Sequence, residues 1–347
     1  MKETHHLPSL SAVPISLLLL LLLLIVQLAT VTSHGFLSTP RSRNLLAYED
    51  RSYYPVTSDH PEPEDCPNCL NRGGTLSRCG IINPGSTEER NYDTPKNALG
   101  GPMHTNIQST YIANSVIDVE VQLTAHHRGH FVFSACPISN TTTIPTQECF
   151  DAYPLTFISD TLYGANVDTN HPERVYVAPD SIPNKVYSTK ENFHNAMVFQ
   201  YKLQLPHNLT GDLVLLQWYY VASNSACIHA GYGSYSWPEE WLTTNSSSTE
   251  WNQVSNVGMG MTTCDEVLPP DGNGIPEQFW NCAEIRILNE DQQLEEEGED
   301  EEGEVEMTIP SRTHSKTIIG YFASWQWYDR NKLAEPSNMD FTKVTRV

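Results

Sequence analysis

Ser115-Val116-Ile117-Asp118-Val119-Glu120-Val121-Gln122-Leu123 decides the fold class. Apolar Ile117, Val119, Val121 and Leu123 alternate with polar neighbours, the period of a strand with one face on a core. After a turn at Gly129, Phe131 and Phe133 continue the pattern. Asp212 to Tyr220 and Cys282 to Leu288 read as further strands. Between them lie stretches rich in Pro, Gly, Asn, Ser, Thr and Tyr, and long segments with helical apolar spacing are missing. Many short strands joined by long loops predict an all-β chain, an immunoglobulin- or fibronectin-like antiparallel β-sandwich, over residues 34–288.

Outside that region the composition changes. Lys2 precedes an apolar run from Ile15 to Val26, with leucine at every position from Leu17 to Leu24, and small residues follow at Thr32 and Ser33. This is the layout of a secretory signal peptide over residues 1–33, cleaved at Ser33-His34. The run is shorter than the roughly 20 apolar residues that span a bilayer, so no membrane association is expected after cleavage. Secretion would place the protein in an extracellular, oxidising compartment, where the 8 cysteines are expected to form disulfides. Cys136 and Cys149 are near enough to pair locally, although other pairings remain open. Cys66 and Cys69 form a C-x-x-C, but no second pair follows at zinc-ribbon spacing. Sequons at Asn140, Asn208 and Asn245 fit a eukaryotic secretory route.

The net charge of −22 says little about partners, because about half of it falls between Glu290 and Glu306. That stretch has no aromatic residue and reads as a solvated linker over residues 289–315. No cluster of Lys and Arg is dense enough for nucleic acid. Beyond the linker, residues 316–347 open with a new apolar strand. About thirty residues are too few for a core of that kind, so this part is expected to be the start of a second, truncated domain.

His34 carries the chemistry. Once it becomes the mature N-terminus, its α-amine and imidazole Nδ1 can chelate one ion, and one further imidazole completes a planar set of three nitrogens. Tetragonal nitrogen geometry favours Cu(II). Any residue left ahead of His34 would turn the amine into a non-ligating amide, so cleavage is part of the site.

Four segments then carry a family resemblance. His34-Gly35-Phe36, Leu123-Thr124-Ala125-His126-His127-Arg128-Gly129-His130-Phe131, Leu216-Gln217-Trp218-Tyr219-Tyr220 with Asn224-Ser225-Ala226-Cys227, and Glu277-Gln278-Phe279-Trp280-Asn281-Cys282-Ala283-Glu284-Ile285 stand in order along the chain. Together they resemble the lytic polysaccharide monooxygenases that carry a chitin-binding type-4 domain, in auxiliary activity families ten and fifteen. The resemblance implies copper held by His34 and His127, an aromatic ring at the copper's axial face from Phe279, and a small residue beside the open axial position at Ala125. It further implies an external reductant, O2 or H2O2 as co-substrate, and hydrogen abstraction at C1 or C4 of a sugar. His126 competes with His127 as ligand, since alternation puts the two on opposite faces. Trp280 competes with Phe279. His130 and the scattered His60, His104, His171, His194, His207 and His229 read as ordinary surface or hydrogen-bonding histidines. Tyr53 and Tyr54 are expected to bind substrate by stacking on sugar rings, with Tyr232, Tyr235 and Trp237 as further candidates.

Lys316 to Val347, with Ile319-Gly320-Tyr321-Phe322-Ala323-Ser324-Trp325 and Met339-Asp340-Phe341-Thr342-Lys343-Val344, resembles the first strands of a family eighteen chitinase, a (β/α)8 barrel. That resemblance implies chitin as substrate and partner, and a chitinase domain fused in the full-length protein. A monomer is expected. Two other readings use the same residues: a non-catalytic chitin-binding module that anchors the chitinase, and an extracellular copper carrier.

Overall fold

The structure, a computed structural model, describes residues 34–50, 52–55, 76–223, 227–228, 231–243, 262–263 and 278–289. The signal segment, the Cys66–Cys69 pair, His60, His229, Asn245, and the acidic and chitinase-like stretches beyond residue 289 lie outside them. The chain divides into two compact units after residue 294, and all described residues belong to the first.

Nine strands build the two main sheets: β1 (His34–Thr39), β2 (Ser109–Ile112), β3 (Val116–Ala125), β4 (His130–Pro137), β5 (Thr156–Asp160), β6 (Arg174–Tyr176), β7 (Met197–Gln204), β8 (Gly211–Val221) and β9 (Gln278–Leu288). One sheet runs in the order β1-β3-β7-β5, and the other β2-β9-β8-β4-β6. The alternation read in residues 115–123 is the face pattern of β3: Ile117, Val119, Val121 and Leu123 are buried, whereas Val116 and Asp118 are exposed. Their counterparts across the interior are Phe131, Phe133 and Ala135 of β4, Leu216, Trp218 and Tyr220 of β8, and Phe279, Ala283, Ile285 and Ile287 of β9. The two sheets therefore meet face to face, as in a β-sandwich. The expected antiparallel arrangement needs one correction. β2 pairs with β9 in parallel, Ser109 opposite Ile285 and Ile112 opposite Leu288, because the long excursion of residues 40–108 returns the chain on the same heading as β9.

β8 and β9 are buried at nearly every position because both of their faces are covered. A helix, α1 (Arg43–Asp50), and the loops over residues 76–103 lie on the outer face of the second sheet, and the Cys79–Cys282 disulfide ties them to β9. A second disulfide, Cys136–Cys149, closes the local loop after β4. Under this cover sits a buried ion pair. Arg43 donates through Nε to Glu284 Oε1 at 2.8 Å and through Nη1 to the carbonyls of Tyr92 and Asp93. Glu284 Oε2 accepts from the Asn106 backbone N–H at 2.6 Å. Removing one partner strands the other charge away from water. Arg43→Met is accordingly expected to destabilise the sandwich by about 3 kcal/mol, read as a drop in the denaturant midpoint. The double variant Arg43→Met with Glu284→Gln should recover part of that loss.

No helix among the described residues is long and apolar enough to cross a membrane.

Candidate metal centre

β1 begins at His34, whose backbone is paired with Ala125, the last residue of β3. The register slips between His34 and Gly35, so one extra residue of β3 is accommodated beside the chain start. Bulges of this kind re-aim neighbouring side chains at functional sites. Gly35 follows from the packing. A Cβ built there would sit 2.4 Å from Leu123 Cδ2, 2.9 Å from the Gln122 carbonyl oxygen and 3.3 Å from Trp218 Cη2. Only a glycine lets β1 approach β3 and the indole this closely. The outer edge of β1 is held as well. The buried Asn281 of β9 accepts the Leu37 N–H at 3.1 Å, and the chain crosses to the other sheet at Ser42, which bridges Ala283. Gly35→Ala is expected to push the start of β1 outward and weaken copper binding about tenfold, within the range of a lost support contact. Isothermal titration on the mature protein measures this, and an unchanged affinity would show that β1 absorbs the methyl.

The loop that crosses from β3 to β4 in the opposite sheet, with the first residue of β4, carries three histidines in five residues. His126 has both ring nitrogens occupied: Nε2 donates to the Ala178 carbonyl at 2.7 Å, and Nδ1 accepts the Arg128 N–H at 3.1 Å. Burial pushes its pKa down to about 4, so the ring is neutral at physiological pH. His130 is buried in β4, with Nδ1 2.6 Å from the Tyr232 hydroxyl. His127 is placed differently. Its backbone N–H donates to the Tyr220 hydroxyl at 3.2 Å, its carbonyl accepts from the Ser223 N–H at 2.8 Å, and its Nε2 is shielded from solvent.

Tyr220 links this crossover to β9. It pairs in register with Phe279, and their rings lie 5.6 Å apart. Trp280 points the other way and stacks on Tyr219 at 5.0 Å. The backbone start at His34, Ala125, His127 and Phe279 thus share one end of the sandwich: the start of β1 and β9 and the end of β3. Tyr220 belongs to one of the segments that carry the family resemblance, but the resemblance assigns it no part in the site. The residue order places it in a strand, but its contact with His127 depends on the conformation of the β3–β4 crossover.

Among the described residues there is no group of three or more His, Cys, Asp or Glu that could hold a metal. Two histidines and a terminal amine form a smaller set than that.

The expected sugar-stacking tyrosines are corrected by burial. Tyr53 and Tyr54 are 1% and 4% exposed, because they fill the small core between the outer loops and the second sheet. Tyr54 donates to the Asn91 carbonyl and packs edge-on against Tyr92, so neither ring faces a polymer. Tyr232 and Tyr235 are buried too. Tyr235 stacks on Tyr176 at 3.7 Å, with Trp237 edge-on to it.

The strand-initial His34, His127 in the β3–β4 crossover and the aromatic Phe279 therefore stand at one end of a β-sandwich. Residues 34–285 match the family model described as lytic polysaccharide mono-oxygenase, cellulose-degrading, and the chain belongs to that family. Membership makes it a copper-dependent oxidative polysaccharide monooxygenase. Solved structures similar to it include an AA15 lytic polysaccharide monooxygenase from Thermobia domestica in the Cu(I) state, 20% identical, covering 73% of this chain and 98% of that one with a TM-score of 0.42. Another is the cellulose-active lytic polysaccharide monooxygenase CelS2 in complex with copper, 12% identical, with the same coverage and a TM-score of 0.31. No curated protein matches the chain.

Proposed function

We propose that this chain is a secreted monooxygenase that cleaves chitin oxidatively, holding copper through the α-amine and imidazole of a mature His34 and through His127. The observation that carries the ligand assignment is the contrast between two neighbours in the β3–β4 crossover. His126 spends both ring nitrogens on backbone partners, whereas the His127 main chain is pinned on both sides beside the strand that ends opposite His34. The donor chemistry, two imidazoles and an amine, fits Cu(II) and Cu(I). The chemistry the ion supplies when bound is activation of O2 or H2O2, after reduction by an external donor, for removal of hydrogen at C1 or C4 of a sugar.

The protein's own residues set the geometry. Pairing of His34 with Ala125 orients the chelating terminus, and the methyl side chain of Ala125 leaves room beside it. The Tyr220 hydroxyl fixes the His127 backbone and so the direction of its ring. Phe279, packed on Tyr220, supplies an apolar wall that presents no competing donor.

Chitin is supported by the resemblance of residues 316–347 to the opening of a chitinase barrel, which would be fused to this domain in the full-length protein. A tether between an oxidative cutter and a chitinase keeps both at high local concentration on one fibre. Cellulose is the second reading, favoured by the description of the matching family.

Protein secreted as a monomer with its N-terminus at His34 is to be loaded with copper and incubated with a reductant and peroxide, on β-chitin and on cellulose in parallel. Oxidised chitin oligosaccharides in the mass spectrum that vanish on copper removal are expected. Oxidised products from cellulose alone would transfer the proposal to that polymer. Tight chitin binding without oxidised product at full copper loading would overturn it in favour of an anchoring module.

A further inference from the structure

The sandwich has two ends, and the chain uses them differently. The candidate copper residues sit where β3 ends and β4 begins. At the opposite end lie the turn before β3, the loop after β4, the β7–β8 loop and the last residues of β9. Backbone bonds tie these together: Leu205 N–H to the Ser115 carbonyl, Ile138 N–H to the Leu213 carbonyl, and Ala113 N–H to the Leu288 carbonyl. The ten residues of β3 separate the two ends by about 30 Å.

Both described sequons lie at that far end. Asn140 is exposed in the loop after β4, in a turn where its Oδ1 accepts from the Thr142 N–H at 2.9 Å and from the Thr142 hydroxyl at 2.5 Å. The intervening Thr141 is buried, which anchors the turn while Asn140 and Thr142 face outward. Ile144, four residues on, is 69% exposed and leaves an apolar surface next to the amide. Asn208 is exposed between β7 and β8, with Leu209 buried and Thr210 exposed, the same outward–inward–outward arrangement.

We infer that Asn140 and Asn208 carry N-linked glycans, and that these cap the end of the sandwich remote from the metal centre. The inference rests on the secretion proposed above. In each modification a bond forms between asparagine Nδ2 and the anomeric carbon of an oligosaccharide carried on a lipid pyrophosphate. The sugar–oxygen bond to the donor breaks, the lipid pyrophosphate departs with the bonding electrons, and one amide proton is lost to a base. No oxidant or reductant is involved. Glycans at this end extend away from the face that must lie on an insoluble polymer. The one at Asn140 also shields Ile144 from solvent. Had the sequons fallen at the His34 end, bulky hydrated chains would separate the metal from the fibre.

The full chain is to be expressed in eukaryotic secretory cells and recovered from the medium. Its N-terminus is read by sequencing, and its glycopeptides are mapped before and after peptide N-glycosidase. Glycan at both Asn140 and Asn208 is expected. Asn140→Gln and Thr142→Ala should each remove the first and leave the second, and the Thr142 variant keeps Asn140 itself in place. Enzymatic deglycosylation of the folded protein should change the fraction bound to chitin less than twofold. Secreted protein that starts at His34 but is bare at both asparagines would overturn the inference while leaving the secretory reading intact. Failure to appear in the medium at all would overturn that reading and the inference with it. A tenfold change in polymer binding on deglycosylation would overturn the placement of the glycans away from the binding face.

Discussion

His127→Ala is expected to lower copper affinity by more than about 100-fold and to abolish oxidised products, because a direct ligand is worth more than the contacts that merely orient one. The neighbouring His126→Gln is expected to keep copper binding within a few-fold and instead to lose about 1–3 kcal/mol of stability, since it leaves the buried Ala178 carbonyl and Arg128 N–H without their ring partners. The pair of substitutions tests register as well as role. Copper titration followed by electron paramagnetic resonance distinguishes the two: the His127 variant should lose the nitrogen-rich Cu(II) signal that the His126 variant retains. The opposite pattern would move the ligand to His126 and would require its two backbone contacts to break on metal binding. Preserved copper binding in both variants would point to a site that does not use the β3–β4 crossover.

The sandwich was legible because β3 buries one face of a regular alternation, and that alternation is written directly in the residue order. The mixed sheet was not, because the direction of β2 depends on where residues 40–108, which include α1, deliver the chain. Buried polar groups were hidden for a related reason. Asn281 and Glu284 look like polar interruptions of a strand, but their partners, the Leu37 N–H and Arg43, are separated from them by 244 and 241 residues. Tyr53 and Tyr54 illustrate the reverse error. Aromatics in a polar, proline-rich loop resemble a sugar platform until the loop is seen to fold back over a sheet and make a small core of its own. At the candidate site, the residue types were readable and the choice between adjacent histidines was not. Alternation holds within a strand, and β3 stops at Ala125, so His126 and His127 take their directions from the turn.

That turn supplies the other large expected effect. Gly129→Ala should prevent folding or cost on the order of 5 kcal/mol, a loss seen only where a named steric cause exists. Two causes coincide here. Arg128 and Gly129 both have positive φ, 57° and 85°, and only glycine takes the second without strain. In addition, a Cβ on Gly129 would lie 1.9 Å from the Val221 carbonyl oxygen and 2.9 Å from its carbon, so relief demands movement of the backbone at the end of β8. A flexible side chain can rotate away from a new methyl, whereas a paired strand cannot. Val221 is opposite His130 on one side and Gln278 on the other, which holds it from both directions. The substitution is therefore expected to reach beyond stability. Any molecules that do fold must shift the β3–β4 crossover against β8, pulling the His127 N–H from the Tyr220 hydroxyl and altering the angle at which the imidazole meets the strand opposite His34. Circular dichroism melts and copper titration of whatever soluble fraction forms would check both parts. A variant with wild-type melting would show that the end of β8 yields more readily than its two-sided pairing implies. A folded variant with normal copper affinity would show that the direction of the His127 ring is set by the metal itself and not by this turn.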